Sequence, residues 1–143
     1  MLGLPVRSMI EPRKLVVAAP ETLVAEAARR MREGGVGAVL VLDEGRLVGI
    51  FTERDAVYRV MAANRDPHRT AVGEVMTSAP KTVAPDESFG YALLLMHENG
   101  FRHAPVVEDG RPIGVVSARH ALDPDLEEFT AEAERRKAIR RRA

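Results

Sequence analysis

The chain has no cysteine and no tryptophan, and aromatic residues make up only 4% of its 143 residues. The absence of cysteine excludes disulfides, thiolate metal ligands and a cysteine nucleophile. Acidic and basic residues balance at 21 each, so the net charge gives no argument for nucleic acid. No apolar run approaches the roughly 20 residues that a membrane-spanning helix needs. We therefore expect a soluble protein without membrane partners, and a cytoplasmic one because residues 1–11 lack the features of a secretion signal.

What the chain does contain is an internal repeat. When the sequence is shifted by 65 residues, the segment 19–57 aligns with the second half of the chain without a gap. The matched positions include glycines that fix turn geometry. They are Pro20 with Pro85, Ala27 with Ala92, Met31 with Met96, Gly35 with Gly100, Gly45 with Gly110 and Gly49 with Gly114. Since each copy alone is near the lower size limit for a stable domain, the repeat predicts two units packed together with a ligand site at their seam.

Each copy follows the order strand, helix, strand, strand, helix. In the first copy we predict a strand at 15–17, a helix capped by Thr22 and a hairpin across 39–51. A second helix then runs from Thr52 to about Met61. In the second copy the equivalent strand lies near Thr82-Val83, the first helix spans about Glu87 to Glu98, and a short helix begins at Ser117.

The predicted fold class is therefore α/β (α+β), with two such repeats packed with pseudo-two-fold symmetry and followed by a C-terminal helix. Asp123-Pro124 marks the start of that helix, since proline is tolerated at the first helical position. The predicted divisions are 1–66 for the first repeat with the N-terminal segment and linker, 67–124 for the second repeat, and 125–143 for a charged helical tail. The basic residues late in this tail suit the helix dipole. They also leave open an RNA-binding or acidic-partner role, although no aromatic residue is interleaved to stack on bases.

No catalytic or metal-binding constellation is visible. The four histidines form no metal-ligand spacing with each other or with carboxylates. Ser117 and His120 lie close in sequence but lack a glycine elbow and a third partner for nucleophilic chemistry. We therefore expect a protein without catalytic residues, without a metal site and without enzymatic activity.

The segment that leads from strand to helix at Thr52 to Asp55 is the most informative for ligand binding. It delivers a hydroxyl and a carboxylate to a helix N-terminus, where free amides favour a polar ligand or an anion. The alternative is a capping box in which Thr52 and Asp55 only satisfy each other's amides. A purely structural box should recur in the second copy, yet that copy has Ser117 and His120 and lacks the acid.

The second copy carries cationic residues where the first is small and neutral. Arg102 and His103 align with Gly37 and Ala38. The alternative is that Arg102 and His103 are polar side chains that only face solvent where a strand begins. Taken together, the copies look specialised, one for a ribose diol and the other for phosphate.

At these residues the chain resembles a tandem pair of cystathionine-β-synthase (CBS) domains, the arrangement called a Bateman module. The first copy carries Glu26-Ala27-Ala28, Leu47-Val48-Gly49-Ile50 and Thr52-Glu53-Arg54-Asp55 at the family's positions. The second carries Arg102-His103-Ala104-Pro105-Val106 and Ile113-Gly114-Val115. The match covers roughly residues 9–124. The resemblance implies a stand-alone CBS-pair protein with two clefts for adenine nucleotides or adenosyl compounds, commonly paired into a disk-shaped homodimer.

Carried over residue by residue, the resemblance assigns one complete cleft. Its ribose-binding residues would be Thr52 and Asp55, and its base would lie against 79–83, of which Ala79, Pro80, Lys81 and Val83 are candidate ligand contacts. The phosphate-facing positions fall on Arg102, His103 and Arg119. The opposite cleft would use Ser117, His120, 15–17, Gly37, Ala38 and Arg54. Because that cleft lacks the aspartate, we predict one nucleotide per chain.

The leading functional hypothesis is a regulatory sensor that binds AMP, ADP or ATP between the repeats and acts on an unknown target protein. S-adenosylmethionine and NAD share the same adenosine, but two or three phosphate-facing cations favour a phosphorylated ligand. No tightly bound cofactor is expected. The alternatives are an interaction or dimerisation module that binds no small molecule and, less favoured, a nucleic-acid binder that uses Arg135 to Arg142.

Overall fold

The computed structural model describes residues 1–11, 14–121 and 123–142, without the side chains of 123–131. In the first repeat, strands β1 (Val17–Ala18), β2 (Ala38–Asp43), β3 (Arg46–Thr52) and β4 (Thr77–Ser78) form one sheet in that order. Strand β1 runs parallel to β2, and the other neighbours are antiparallel. Helix α1 (Val24–Gly34) follows β1, as the repeat pattern predicts.

The second repeat reproduces this plan with fewer sheet residues. Strands β5 (His103–Glu108) and β6 (Arg111–Ser117) form an antiparallel hairpin, and Val83 pairs in parallel with Val106 as a single bridge. Helix α4 (Phe89–Asn99) is the counterpart of α1. A 3-10 turn (Ala118–Ala121) ends the repeat, and helix α5 (Asp123–Arg142) follows. The predicted fold of two β-α-β-β-α repeats with a C-terminal helix is confirmed, whereas the predicted cap at Asp123-Pro124 lies outside the described side chains.

The matched glycines end equivalent elements in the two repeats. Gly35 closes α1 and Gly100 closes α4, both in the left-handed region at φ 64° and 72°. Gly45 and Gly110 stand in the two hairpin turns at φ 80° and 78°. Glycine adopts these dihedrals without a steric penalty, so glycines at matched positions allow the same turns in both repeats.

One predicted cap is wrong. Thr22 does not cap α1: the N-cap position is Leu23, and it makes no side-chain cap hydrogen bond. The hydroxyl of Thr22 instead accepts a hydrogen bond from the Ala19 amide at 3.0 Å, within the turn that precedes the helix. In α4 the equivalent turn is followed by Ser88, whose hydroxyl does cap the helix through the Tyr91 amide at 3.1 Å.

Two crossed segments each pack on the repeat from across the repeat boundary: residues 72–75 on the first repeat and the N-terminal segment on the second. After strand β3, helix α2 begins as an α-helical turn (Glu53–Asp55) and continues as a π-helix (Ala56–Met61). The chain then returns to the first repeat as α3 (Val72–Val75), where the Val72 amide bonds to the Thr22 carbonyl at 2.7 Å. The N-terminal segment makes the equivalent contact with the second repeat, since the Val6 amide bonds to the Glu87 carbonyl at 2.8 Å.

The sequence division 1–66 assigns the N-terminal segment to the first repeat. In the structure this segment packs on the second repeat. Val6 is fully buried in the core of the second repeat, beside Phe89 and Met96. Val72 and Val75, which fall in the division 67–124, are buried in the core of the first repeat. The physical reason is that the apolar core of each repeat needs a covering segment, and each segment comes from the other side of the repeat boundary.

Between the two repeats lies a third apolar cluster. Ala38, Leu40 and Ile50 form its buried part, and Val115 of β6 packs against it from the second repeat. This cluster joins the two sheets at the pseudo-two-fold axis and leaves a cavity on either side of it.

Candidate functional site

The first cavity, of about 610 Å³, opens beside the end of β3 and the start of α2. It takes residues from both repeats, as expected for a seam. Its lining includes Thr52, Asp55, Pro80, Lys81, Arg102 and His103, six of the nine predicted ligand contacts. The seam therefore brings together the hydroxyl and carboxylate of one copy and the cations of the other.

Thr52 and Asp55 form a complete capping box at this cavity. The Asp55 amide donates to Thr52 Oγ1 at 3.3 Å, and the Thr52 amide donates to Asp55 Oδ2 at 3.0 Å. The Thr52 hydroxyl also donates to Oδ2, at 3.2 Å. Asp55 is 9% exposed, so its carboxylate is held rigidly and mostly away from water. The box uses Oδ2 and leaves Oδ1 for other partners.

Arg59 connects this carboxylate to the segment that precedes β4. Its Nε lies 3.5 Å from Asp55 Oδ1. Its Nη1 donates to the carbonyls of Val75 and Met76 at 3.3 and 2.9 Å, immediately before β4. Sequence reasoning missed this residue, although a carboxylate followed by arginine four positions later on a helix is a recognisable pair.

Arg54 lines the first cavity, not the opposite cleft to which the sequence assigned it. Its guanidinium donates to the Gly100 carbonyl at 3.1 Å and lies 5.6 Å from the centre of the Tyr58 ring. Arg119, its counterpart, lines the second cavity and not the first. The two arginines were assigned to the wrong cavities for the same reason. Each follows an N-cap residue by two positions, Arg54 after Thr52 and Arg119 after Ser117, and therefore lines the same cavity as that residue.

The segment predicted to contact a base is only partly in the cavity. Pro80 and Lys81 line it, together with Thr77 of β4. Val83 does not, because its side chain is 1% exposed and belongs to the core of the second repeat. Ala79 adopts a left-handed backbone with φ 47° and donates its amide to the Val48 carbonyl at 3.1 Å, which turns the chain toward Pro80.

His103 lies beside Arg102 in the lining of the cavity and is partly buried. Burial lowers the pKa of His103 below its usual value, and nearby Arg119, His120 and Arg102 lower it further, while Glu53 opposes the shift. The imidazole is therefore neutral at pH 7 in this environment. It can bind a phosphate through a ring N–H without carrying a full charge.

A second cavity of about 530 Å³ lies on the other side of the seam. Ser117, His120, Gly37 and Ala38 line it, as the sequence assigned them, but residues 15–17 do not. Glu53, Arg102 and His103 line both cavities.

The second copy also closes a cap, with an imidazole in place of the carboxylate. The Ser117 amide donates to His120 Nδ1 at 3.0 Å, and the Arg119 amide donates to Ser117 Oγ at 3.2 Å. A capping box does recur in the second copy, against the expectation from the sequence, because His120 accepts from the Ser117 amide as Asp55 accepts from the Thr52 amide. What differs is the remaining acceptor capacity, since a neutral imidazole has one acceptor nitrogen and this hydrogen bond occupies it.

Neither cavity carries a metal-type cluster: across the described ranges, no three histidine or carboxylate side chains are grouped as metal ligands would be. Within the same ranges, no helix combines the length and the apolar character needed to cross a bilayer.

Comparison with known proteins agrees with the architecture. The model of the CBS domain family matches residues 6–62 and 72–125. Since these two ranges cover most of the chain, it belongs to the CBS domain family and carries the domain twice in tandem.

Three of the similar proteins illustrate the match. An uncharacterized 17.7 kDa protein of Acidianus ambivalens is 40% identical over 133 residues, which covers 89% of this chain and 79% of that protein. A crystal structure of an uncharacterized conserved protein from Pyrococcus horikoshii has a TM-score of 0.79 at 28% identity, with 87% of this chain and 94% of that chain covered. A CBS domain protein from Pyrobaculum aerophilum, complexed with AMP, has a TM-score of 0.74 at 24% identity and covers 82% of this chain and 89% of its own. That last likeness shows the fold alone.

Other curated relatives are longer than the matched region. This chain spans 57% of an uncharacterized protein of Methanopyrus kandleri and 16% of a meiotically up-regulated protein of Schizosaccharomyces pombe.

Proposed function

We propose that the chain is a regulatory module that binds an adenine nucleotide in the first cavity and acts on a partner protein in the cytoplasm. One observation carries the proposal. A carboxylate that is 9% exposed, Asp55, keeps one oxygen outside its capping box, at a cavity that is also lined by Lys81 and Arg102.

This arrangement suits a ribose 5′-phosphate. Oδ1 of Asp55 can accept hydrogen bonds from vicinal hydroxyls, and each bond to a charged acceptor contributes roughly 1.5–3 kcal/mol. Lys81 and Arg102 can bind phosphate oxygens through charge-assisted hydrogen bonds. The base would pack against apolar lining from Ile50 and Pro80.

The cations favour AMP, ADP or ATP over S-adenosylmethionine, whose sulfonium carries positive charge. A dinucleotide such as NAD shares the same adenosine and phosphate. The protein from Pyrobaculum aerophilum supports AMP as a candidate ligand, because it has the same fold and is complexed with AMP. We propose one nucleotide per chain, because His120 leaves no carboxylate for a ribose in the second cavity.

A second candidate function is an interaction module without a small-molecule ligand. The observation in its favour is that the box of Thr52 and Asp55 is complete without any ligand. On this account Asp55 only stabilises the start of α2, and replacing it would lower stability equally with and without nucleotide. Both accounts assign the chain a non-enzymatic role.

We also propose that the chain pairs into a homodimer, in which a ligand with different affinities for two arrangements of the pair shifts the balance between them. Exposed apolar side chains on α2 and α4 support it; they are Val57, Tyr58, Met61, Tyr91 and Leu94. Light scattering coupled to size exclusion should give twice the chain mass of 15.7 kDa. A mass of one chain at micromolar concentration would contradict pairing.

The experiment that separates the two candidate functions measures thermal unfolding of the wild type and Asp55→Asn, each with and without millimolar AMP. A ligand that binds only the folded state raises the unfolding temperature. We expect AMP to stabilise the wild type and to have little effect on Asp55→Asn. Equal stabilisation of both proteins would remove Asp55 from the site, and no stabilisation of either by any adenine nucleotide would favour the interaction module.

A further inference from the structure

The second cavity holds positive charge beyond the Arg102 that it shares with the proposed nucleotide site, because Lys14 and Arg119 line this cavity and not the first. Lys14, Arg102 and Arg119 line it, against the acids Glu11 and Glu53. Lys14 approaches Glu11 at 3.9 Å. In the part of the chain that the structure describes, no carboxylate forms an ion pair with Arg102 or Arg119. Among the described side chains these two guanidinium groups have no ion-pair partner, and their planar fork matches the oxygens of a small anion such as phosphate.

The same cavity is unsuited to a second nucleoside. The acceptor nitrogen of His120 is occupied by the Ser117 amide at 3.0 Å, and the Ser117 hydroxyl accepts from the Arg119 amide at 3.2 Å. No carboxylate stands where Asp55 stands in the first copy. The lining therefore offers cations for an anion but no carboxylate for a sugar diol.

A thin charged wall separates the two cavities. Its members, Glu53, Arg102 and His103, contribute to the lining on both sides. Gly37 lies directly against it: a Cβ at this position would be 2.6 Å from Glu53 Oε1 and 3.1 Å from His103 Nε2. An anion in either cavity therefore meets the same guanidinium and the same imidazole.

We propose that the second cavity is an anion site for a compact phosphate, of the phosphate or pyrophosphate class, and that a nucleotide phosphate in the first cavity antagonises its binding through Arg102. The antagonism rests on the proposed function. A single guanidinium cannot pair fully with two anions on opposite sides, and the two anions also repel each other across a thin wall. The coupling is reciprocal, so bound phosphate weakens AMP binding by the same factor. Adenosine carries no phosphate and should not compete.

The test is calorimetric titration of the full chain with inorganic pyrophosphate in three states: alone, with saturating adenosine and with saturating AMP. We expect binding alone, unchanged affinity with adenosine, and at least fivefold weaker binding with AMP. Equal affinity in the presence and absence of saturating AMP would overturn the antagonism.

Two variants locate the anion. Arg119→Ala changes a residue that lines only the second cavity and should weaken pyrophosphate binding at least tenfold. Arg111→Ala, an exposed arginine on β6 that lines neither cavity, should leave it unchanged. Pyrophosphate binding that survives Arg119→Ala, or no binding to the wild type, would overturn the anion site. If AMP itself does not bind, the proposed function and the antagonism both fail, and the anion site is still decided by pyrophosphate and Arg119→Ala.

Discussion

At the scale of single residues, we propose two separable tasks for Asp55, helix capping and ligand binding, each of which uses a different oxygen. Oδ2 accepts from the Thr52 amide and hydroxyl, which stabilises the start of α2. Oδ1 lies 3.5 Å from Arg59 and has acceptor capacity left for a ligand. Because the tasks use different atoms, ligand affinity and folding stability can be measured as separate consequences of one substitution.

The first prediction concerns affinity. Asp55→Asn keeps a carbonyl oxygen that can cap the helix but removes the charge that strengthens hydrogen bonds from ribose hydroxyls. We expect the affinity for AMP to fall at least tenfold, which corresponds to about 1.4 kcal/mol. Isothermal calorimetry measures the change.

The chain offers a matched control for the loss of a capping carboxylate. Glu74 makes the same carboxylate half of a box at α3, since it accepts from the amide of the N-cap residue Ala71 at 2.8 Å, and it lines neither cavity of the seam. Glu74→Gln should therefore leave AMP affinity unchanged. If Glu74→Gln weakened AMP binding as much as Asp55→Asn, the effect of Asp55 would have to be attributed to helix capping.

The second prediction concerns pH. Burial lowers the pKa of His103, so the unfolded chain takes up a proton on this residue at a higher pH than the folded chain. The contribution of neutral His103 to stability is thus complete above its unfolded pKa of about 6.5 and is lost as the pH falls through the lower folded pKa. The charged and titratable groups that face it, Glu53, Arg102, Arg119 and His120, are unchanged in His103→Gln.

Thermal unfolding between pH 7.5 and 5 measures this loss. The wild type should lose stability more steeply toward acid than His103→Gln. Parallel curves for the two proteins would mean that His103 does not carry the proton uptake on unfolding.

At the residue scale the sequence predicts which side-chain types form the site better than it predicts where each side chain points. Thr52, Asp55, Arg102 and His103 stand out because the two copies differ there, and all four line the first cavity. Val83 was misplaced, because its apolar side chain serves the core and a residue between two candidate contacts need not point with them. The spacing of Asp55 and Arg59 indicates their ion pair, but not the contacts of Arg59 with carbonyls 16 and 17 positions away, which form only in the folded chain.

At the scale of elements, the crossed segments complete the cores. Met76 follows α3 and packs against the first core, close to Gly49 of β3. In the second repeat, Ile10 of the N-terminal segment stands against Gly114 in the equivalent way. The repeat reveals the matched glycines, but not that each faces a segment from across the repeat boundary, because that pairing is made in space and not along the chain.

The third prediction tests this packing. A Cβ at position 49 would lie 2.2 Å from Met76 Sδ and 2.9 Å from its Cγ, so Gly49→Ala must displace the Met76 side chain. We expect a loss of about 1–3 kcal/mol in the free energy of unfolding, as is typical for overpacking. Urea denaturation measures it, and Gly3→Ala, where nothing lies within 4 Å, is the matched control.

A double variant identifies the partner. In the Met76→Ala background the clash is removed, so Gly49→Ala should cost clearly less than in the wild type. Equal costs in both backgrounds would show that Met76 is not the group that resists the added methyl.

At the scale of the whole molecule, the crossing makes the two repeats dependent on each other. Each core is completed by a valine that the chain supplies from the other side of the repeat boundary, Val6 for the second repeat and Val72 for the first. A third cluster, which includes Leu40 and Val115, holds the sheets together at the axis. A molecule built in this way should unfold as one unit, although its sequence reads as two.

The fourth prediction follows from this dependence. Val6 and Val72 are both fully buried, and replacing either by alanine should lower the free energy of unfolding by about 1.5–3 kcal/mol. Each variant should still show a single denaturant transition when followed by circular dichroism. Two resolved transitions in Val6→Ala would mean that the second repeat can unfold alone.

Calorimetric titration with AMP, ADP, ATP, S-adenosylmethionine and NADH decides whether this CBS pair binds an adenine nucleotide in the Asp55 cavity. We predict saturable binding of at least one phosphorylated adenosine ligand near one per chain, weakened at least tenfold by Asp55→Asn. A stoichiometry of two would contradict the assignment of a single nucleotide site. The absence of binding by all five ligands would contradict the sensor function itself.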